Sequence, residues 1–189
     1  MRKSAKLIVT LLGVFAVGAL GSATGFAAVA AAQHPGVSAA ATSTAGTVNK
    51  VIAVTDSPNA ITTSTTYVAM PGMSATVSVP STHPNGAQLT ISFADESACY
   101  NGISGQWCSV IVLVDGVEAA PGDGTDYAFD GSDGAACCEW RGLSLIRIAN
   151  VGVGTHSVVV EWAVVGSGGA SALTAWSGER ALVILRSFH

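Results

Sequence analysis

Gln88-Leu89-Thr90-Ile91-Ser92-Phe93-Ala94 alternates without a break between apolar and polar side chains. Side chains of an extended chain point to opposite faces at a period of two, so Leu89, Ile91 and Phe93 share one face and Gln88, Thr90 and Ser92 the other. This is the pattern of a strand with one buried face. Downstream, Ser109–Val114 is continuously apolar after its first residue, as a strand covered on both faces would be. Asp115-Gly116 then supplies a two-residue hairpin turn into Val117-Glu118. Leu143–Ala149 reads as another strand. His156–Val165 reads as the longest, with Val158, Val160, Trp162 and Val164 on one face. Leu173–Trp176 and Arg180–Arg186 close the chain, and Val51–Thr55, Ile61–Ala69 and Ala75–Val79 precede the alternating stretch. Gly, Pro, Asn and Asp separate these runs, and no amphipathic helix interrupts them. Nine or ten short strands at this spacing predict an all-β fold, an antiparallel β-sandwich. Unequal strands with long connections suit Greek keys better than a meander, so a jelly roll is expected. The strongly apolar Ala181–Leu185 belongs in the centre of a sheet. No internal repeat is present.

The first 32 residues have a different texture. Arg2, Lys3 and Lys6 precede an apolar run, Leu7–Leu20, and small residues follow up to Ala30-Ala31-Ala32. A positive start, an apolar centre of about 14 residues and an A-x-A site make a secretory signal peptide, cleaved after Ala30 or Ala32. The alternative is an uncleaved anchor, since Leu7–Ala32 carries no charge, but its second half is only weakly hydrophobic. Residues 33–47 are rich in Ala, Ser, Thr and Gly and read as a flexible linker. The expected organisation is a leader at 1–32, the linker at 33–47 and one β-sandwich domain at 48–189. The expected location is secreted or cell-surface, with no membrane span after cleavage.

Three of the eight basic residues lie in the leader, leaving five against twelve acidic residues and a formal charge near −7. That balance argues against nucleic acid as a partner, and an anionic membrane surface would repel the chain.

Four cysteines remain after the leader, Cys99, Cys108, Cys137 and Cys138. In an exported protein an even count reads as disulfides. Adjacent cysteines rarely bond to each other, because the ring they close strains the peptide between them. Either Cys99 pairs with Cys108, the favoured arrangement, or both vicinal cysteines reach back to Cys99 and Cys108. Zinc finds no C-x-x-C or histidine spacing here.

The candidate chemistry is sparse. Asp115, Glu118, Asp123, Asp126, Asp130, Asp133 and Glu139 fall within 25 residues that contain no basic residue and are punctuated by Gly and Pro. Oxygen ligands on loops are what Ca²⁺ requires, making Asp123, Asp126, Asp130 and Asp133 the candidate ligands, though the spacing fits no EF-hand. The competing reading is a solvated acidic loop. Of the tryptophans, Trp162 falls in register with core positions and Trp107 adjoins Cys108, which leaves Trp140 and Trp176 as candidates to stack on a sugar ring. His34, His83 and His189 lie in the linker, a Pro-flanked loop and the terminus, and His156 follows Gly154-Thr155 at a strand entry, where a turn role is expected. No G-x-S-x-G elbow is present. No catalytic residue and no cofactor other than calcium is expected.

Three stretches carry a resemblance: Val112-Leu113-Val114-Asp115-Gly116-Val117-Glu118, Gly154-Thr155-His156-Ser157-Val158-Val159-Val160-Glu161-Trp162 and Glu179-Arg180-Ala181-Leu182-Val183-Ile184. Their order resembles small exported β-sandwich proteins of high-GC bacteria and, more loosely, jelly rolls of the C1q/TNF type and of phage fibre tips. The resemblance spans about residues 60–187 and implies a fold and a homotrimer, with no catalytic residue to carry over. A collagen-like G-X-Y stalk is missing from the chain. The expected function is a non-enzymatic role in binding or surface structure, toward an extracellular partner or glycan. The alternatives are a small carbohydrate-binding module, calcium-assisted or not, and a small secreted hydrolase with carboxylates in the acidic loop.

Overall fold

A computed structural model describes residues 48–132, 134, 139–166 and 173–189. The expected leader and linker (residues 1–47), Asp133, Cys137 and Cys138 lie outside the described residues. Ten strands run in chain order: β1 (Val48–Asp56), β2 (Ala60–Thr62), β3 (Val68–Val79), β4 (Ala87–Tyr100), β5 (Trp107–Val114), β6 (Val117–Glu118), β7 (Asp130–Gly131), β8 (Arg141–Val151), β9 (Gly154–Val165) and β10 (Thr174–Phe188). They form two antiparallel sheets. The first has the order β1-β10-β4-β8, with β2 also on β10, and the second has β3-β9-β5-β6, with β7 also on β5.

The pairs β1·β10, β3·β9, β4·β8 and β5·β6 nest one inside the next along the chain. Such a nested ribbon, wrapped so that β10 meets β4 and β9 meets β5, is the jelly roll expected from the strand pattern. Its last strand lies between β1 and β4, where an apolar run such as Ala181–Leu185 is covered on both sides.

The core forms between the sheets. Leu89, Ile91 and Phe93 of β4 are fully buried and meet Leu182 and Ile184 of β10, Met73 and Val77 of β3, Val110 and Val112 of β5, and Val158, Val160 and Trp162 of β9. Burying a side chain of this size contributes about 1.5–3 kcal/mol, so the alternating stretch anchors the fold. Asp115 and Gly116 both take positive φ, 52° and 80°, which is the primed turn their dipeptide favours.

Two runs behave differently from their sequence pattern. Ile61–Ala69 is not one strand: β2 ends at Thr62 and β3 begins at Val68. Ser64 and Thr66 account for the break. The Ser64 amide donates to Thr62 Oγ1 at 3.1 Å and the Ser64 hydroxyl donates to the Thr66 carbonyl at 2.6 Å, a local competition that takes the chain out of the ladder. Conversely, Pro71-Gly72 and Gly178-Glu179 do not end strands. Both sit in bulges, where the register slips between Ala69 and Ser74 of β3 and between Ser177 and Arg180 of β10.

A single side chain ties these bulges together. The buried Arg180 guanidinium donates to the carbonyls of Pro71 (3.2 Å), Pro58 (2.8 Å) and Gly178 (3.0 Å) and to Asp56 Oδ2 (2.5 Å).

Candidate binding groove

The outer face of the first sheet can be read row by row from the register. Thr55, Ala181, Ala94 and Ser144 lie side by side across β1, β10, β4 and β8. All four are small, so the sheet surface is low there. Glu96 pairs with Gly142 in the next part of β4 and β8, and a Cβ at Gly142 would meet nothing within 4 Å. Glu179 lies on the bulge of β10. Together these residues line an open trough of about 720 Å³, a size suited to a small organic ligand.

Trp176 and Trp140 stand beyond the Glu96 end of this trough. Trp176 belongs to β10 yet is absent from the core cluster, and its ring lies over Gly178 beside the Glu96 carboxylate; a Cβ at Gly178 would collide with both. Trp140 meets Trp176 edge-on, with ring centroids 3.9 Å apart and planes at 68°. Trp140 is 50% exposed and Trp176 is 9% exposed. The two tryptophans singled out from the sequence, 36 positions apart, therefore form one aromatic unit. Glu139 and Arg141 flank Trp140 and pair with each other at 2.5 Å. Trp162 is buried in the core, and the Trp107 indole donates to the Thr125 carbonyl at 2.9 Å.

The acidic segment is held together by its own hydrogen bonds. Glu118 accepts the backbone N–H groups of Asp123 and Gly124 at 3.2 Å, which shapes a 3₁₀ turn over Gly124–Asp126. Asp123 and Asp126 lie on that turn. Asp130 leaves it, pairs in β7 with Cys108, and buries its carboxylate. There it accepts from the Ser97 hydroxyl at 3.2 Å and pairs with Arg141 at 3.3 Å. Burial raises the Asp130 pKa, while Ser97 and Arg141 pull it back down. Among the described residues no three His, Cys, Asp or Glu side chains gather into a metal-binding group.

Sequence reasoning missed the neighbouring Asp95. It continues the inward alternation of Leu89, Ile91 and Phe93, is buried, and lines the trough from its inner side. Burial raises its pKa to about 7, against the opposing pull of the Ser177 hydroxyl and Arg180. Ser177 donates to Asp95 Oδ1 at 2.7 Å. Glu96, one residue on, was legible as an outward position by extending the same alternation.

His156 has the turn role its position suggested. Its Nδ1 lies 2.7 Å from Asp115 Oδ2 and its Nε2 2.9 Å from the Gly152 carbonyl, while Asp115 Oδ1 accepts the Ser157 amide at 2.8 Å. His156 and then Ser157 lower the Asp115 pKa. His83 stacks on Phe188 with centroids 3.4 Å apart. Cys99 of β4 and Cys108 of β5 form the favoured disulfide, with Cα atoms 5.8 Å apart, and so link the two sheets.

No family model matches the chain, and no curated protein matches it.

Proposed function

We propose that this chain is an exported, non-enzymatic β-sandwich that binds a glycan at the trough on its first sheet. The observation that carries this reading is the contact between Trp140 and Trp176 beside Glu96. A sugar ring offers an apolar C–H face and a rim of hydroxyls. A half-exposed indole covers the first, and carboxylates such as Glu96 and Glu179 accept hydrogen bonds from the second. Export is supported by the leader and by the Cys99–Cys108 pair, since disulfides persist outside the cytoplasm. A non-catalytic role is supported by the engagement of Asp115, Glu118, Asp130 and Glu139 in internal hydrogen bonds or ion pairs.

Titration of cell-wall and plant polysaccharides against tryptophan fluorescence tests the reading. A saturable shift that Trp140→Ala abolishes is expected. No shift with any polysaccharide would count against it.

Self-association has separate support, and the stoichiometry of three rests on the resemblance to trimeric jelly rolls. Beyond the small row, the same outer face carries Val51, Leu185 and Ile148 around Thr90 in one row and Val183 and Ile146 around Ser92 in another, with Val51, Ile146 and Ile148 exposed. Packing of copies through these two rows leaves the tryptophan end open. Light scattering should then report a trimer that Ile146→Glu dissociates; a monomer at all concentrations would remove this reading.

A further inference from the structure

Among the described residues, Arg147 is a buried charge with two unpartnered nitrogens. It sits on β8 among the inward positions Leu143, Leu145, Ala149 and Val151, and is only 4% exposed. Its Nη1 donates to the Ile146 carbonyl at 3.2 Å, and its guanidinium lies 4.5 Å from the centroid of the Tyr127 ring. Its Nε and Nη2 are buried and have no hydrogen-bond partner among the described residues. These two nitrogens form one edge of the guanidinium, with parallel N–H groups spaced to match two oxygens of one carboxylate or phosphate.

The energetics point the same way. A buried guanidinium left half unpaired is costly, and a cation–π contact returns only about 0.5–2 kcal/mol. Within the chain, Asp133 is the only acidic residue outside the described ones. A cleft of about 740 Å³ runs between the sheet edges, lined by Ala119, Ala120, Pro121 and Ala149 among others. Arg147 is the next inward position after Ala149, behind the two hydrogen bonds of 2.9 and 2.7 Å that join Ala120 to Ile148. The carboxylates at this cleft are engaged, Asp115 by His156 and Ser157 and Glu118 by the turn amides.

We infer that Arg147 is the anchor of a second binding site, for a small oxyanion that presents two oxygens to Nε and Nη2. Tyr127 stacks on the guanidinium and moves aside when the anion enters.

The test uses the oxidised protein with inorganic phosphate or acetate as probes, against chloride at the same ionic strength. The Arg147 Nε–H resonance should shift with the anion it accepts. Melting should rise by several degrees at saturation, because an anion that binds only the folded state stabilises it. A response to phosphate alone identifies a tetrahedral ligand, and a response to acetate a carboxylate. The rise should vanish in Arg147→Met. Should that variant not fold, Tyr127→Ala, which uncovers the guanidinium, should tighten the response several-fold. An unmoved Arg147 resonance with both probes, or an equal rise in Arg147→Met, would overturn the site.

Discussion

Asp95 shows how one side chain can set a pH response. Its pKa is raised to about 7 in the folded protein, against about 3.9 for an unfolded aspartate. Between these values the unfolded chain releases its proton and the folded chain keeps it, so stability falls as pH rises from about 4 to about 7 and is flat above. Three units correspond to about 4 kcal/mol as an order of magnitude. Asp95→Asn keeps an acceptor for Ser177 and has no charge to bury. Urea unfolding at pH 5 and pH 8 should show the parent losing stability over this interval and the variant losing less, the remainder belonging to groups such as Asp130, whose pKa is also raised. Asp115 acts in the opposite sense at lower pH, because its pKa is lowered and the stability it confers disappears on acidification. At the trough, Gly142 separates the proposed glycan binding from folding. A Cβ there meets nothing within 4 Å, so Gly142→Val should leave the melting temperature within about a degree or two while weakening glycan binding at least several-fold.

The two bulges are the elements on which the trough end of the sandwich depends. Gly72 has φ +74°, and a Cβ there would run into the Asp56 carboxylate. Gly72→Ala should push Asp56 off Arg180 and leave a buried guanidinium short of its counter-charge, at a cost of about 3–5 kcal/mol in thermal or chemical unfolding. The β4–β5 connection offers a milder test. Replacing both Cys99 and Cys108 with Ser opens a loop of about ten residues and should cost about 2–3 kcal/mol, read as a lower denaturation midpoint. The acidic segment is organised by Glu118, which accepts the Asp123 and Gly124 amides, and by Arg141, which pairs with Asp130.

At the scale of the whole molecule, β1 pairs with β10 and brings Val48 opposite Ser187, so the two ends of the domain close on one sheet. Nearly every ladder joins distant parts of the chain, and β10 is held from both sides. Ile184→Ala, in the middle of that strand, removes a fully buried side chain and should cost about 2–5 kcal/mol, measured by denaturant unfolding.

Some of this was written in local pattern. The period-two faces of Gln88–Ala94 and His156–Val165 follow from one extended backbone, and Asp115-Gly116 names its own turn, so the strands and the all-β class were legible residue by residue. Trp140 and Trp176 could be named as candidates, since Trp162 claimed the core by its alternation. Their contact could not be read, because it depends on how β10 lies beside β4 and β8 across gaps of dozens of residues. The same holds for the row Thr55, Ala181, Ala94 and Ser144, whose small size becomes a trough only when register aligns them. Pro71-Gly72 and Gly178-Glu179 look like strand ends in the sequence, and they became bulges because Arg180, from the far end of the chain, bonds the carbonyls they expose. Local chemistry chose the strands; the pairing of distant strands made the trough.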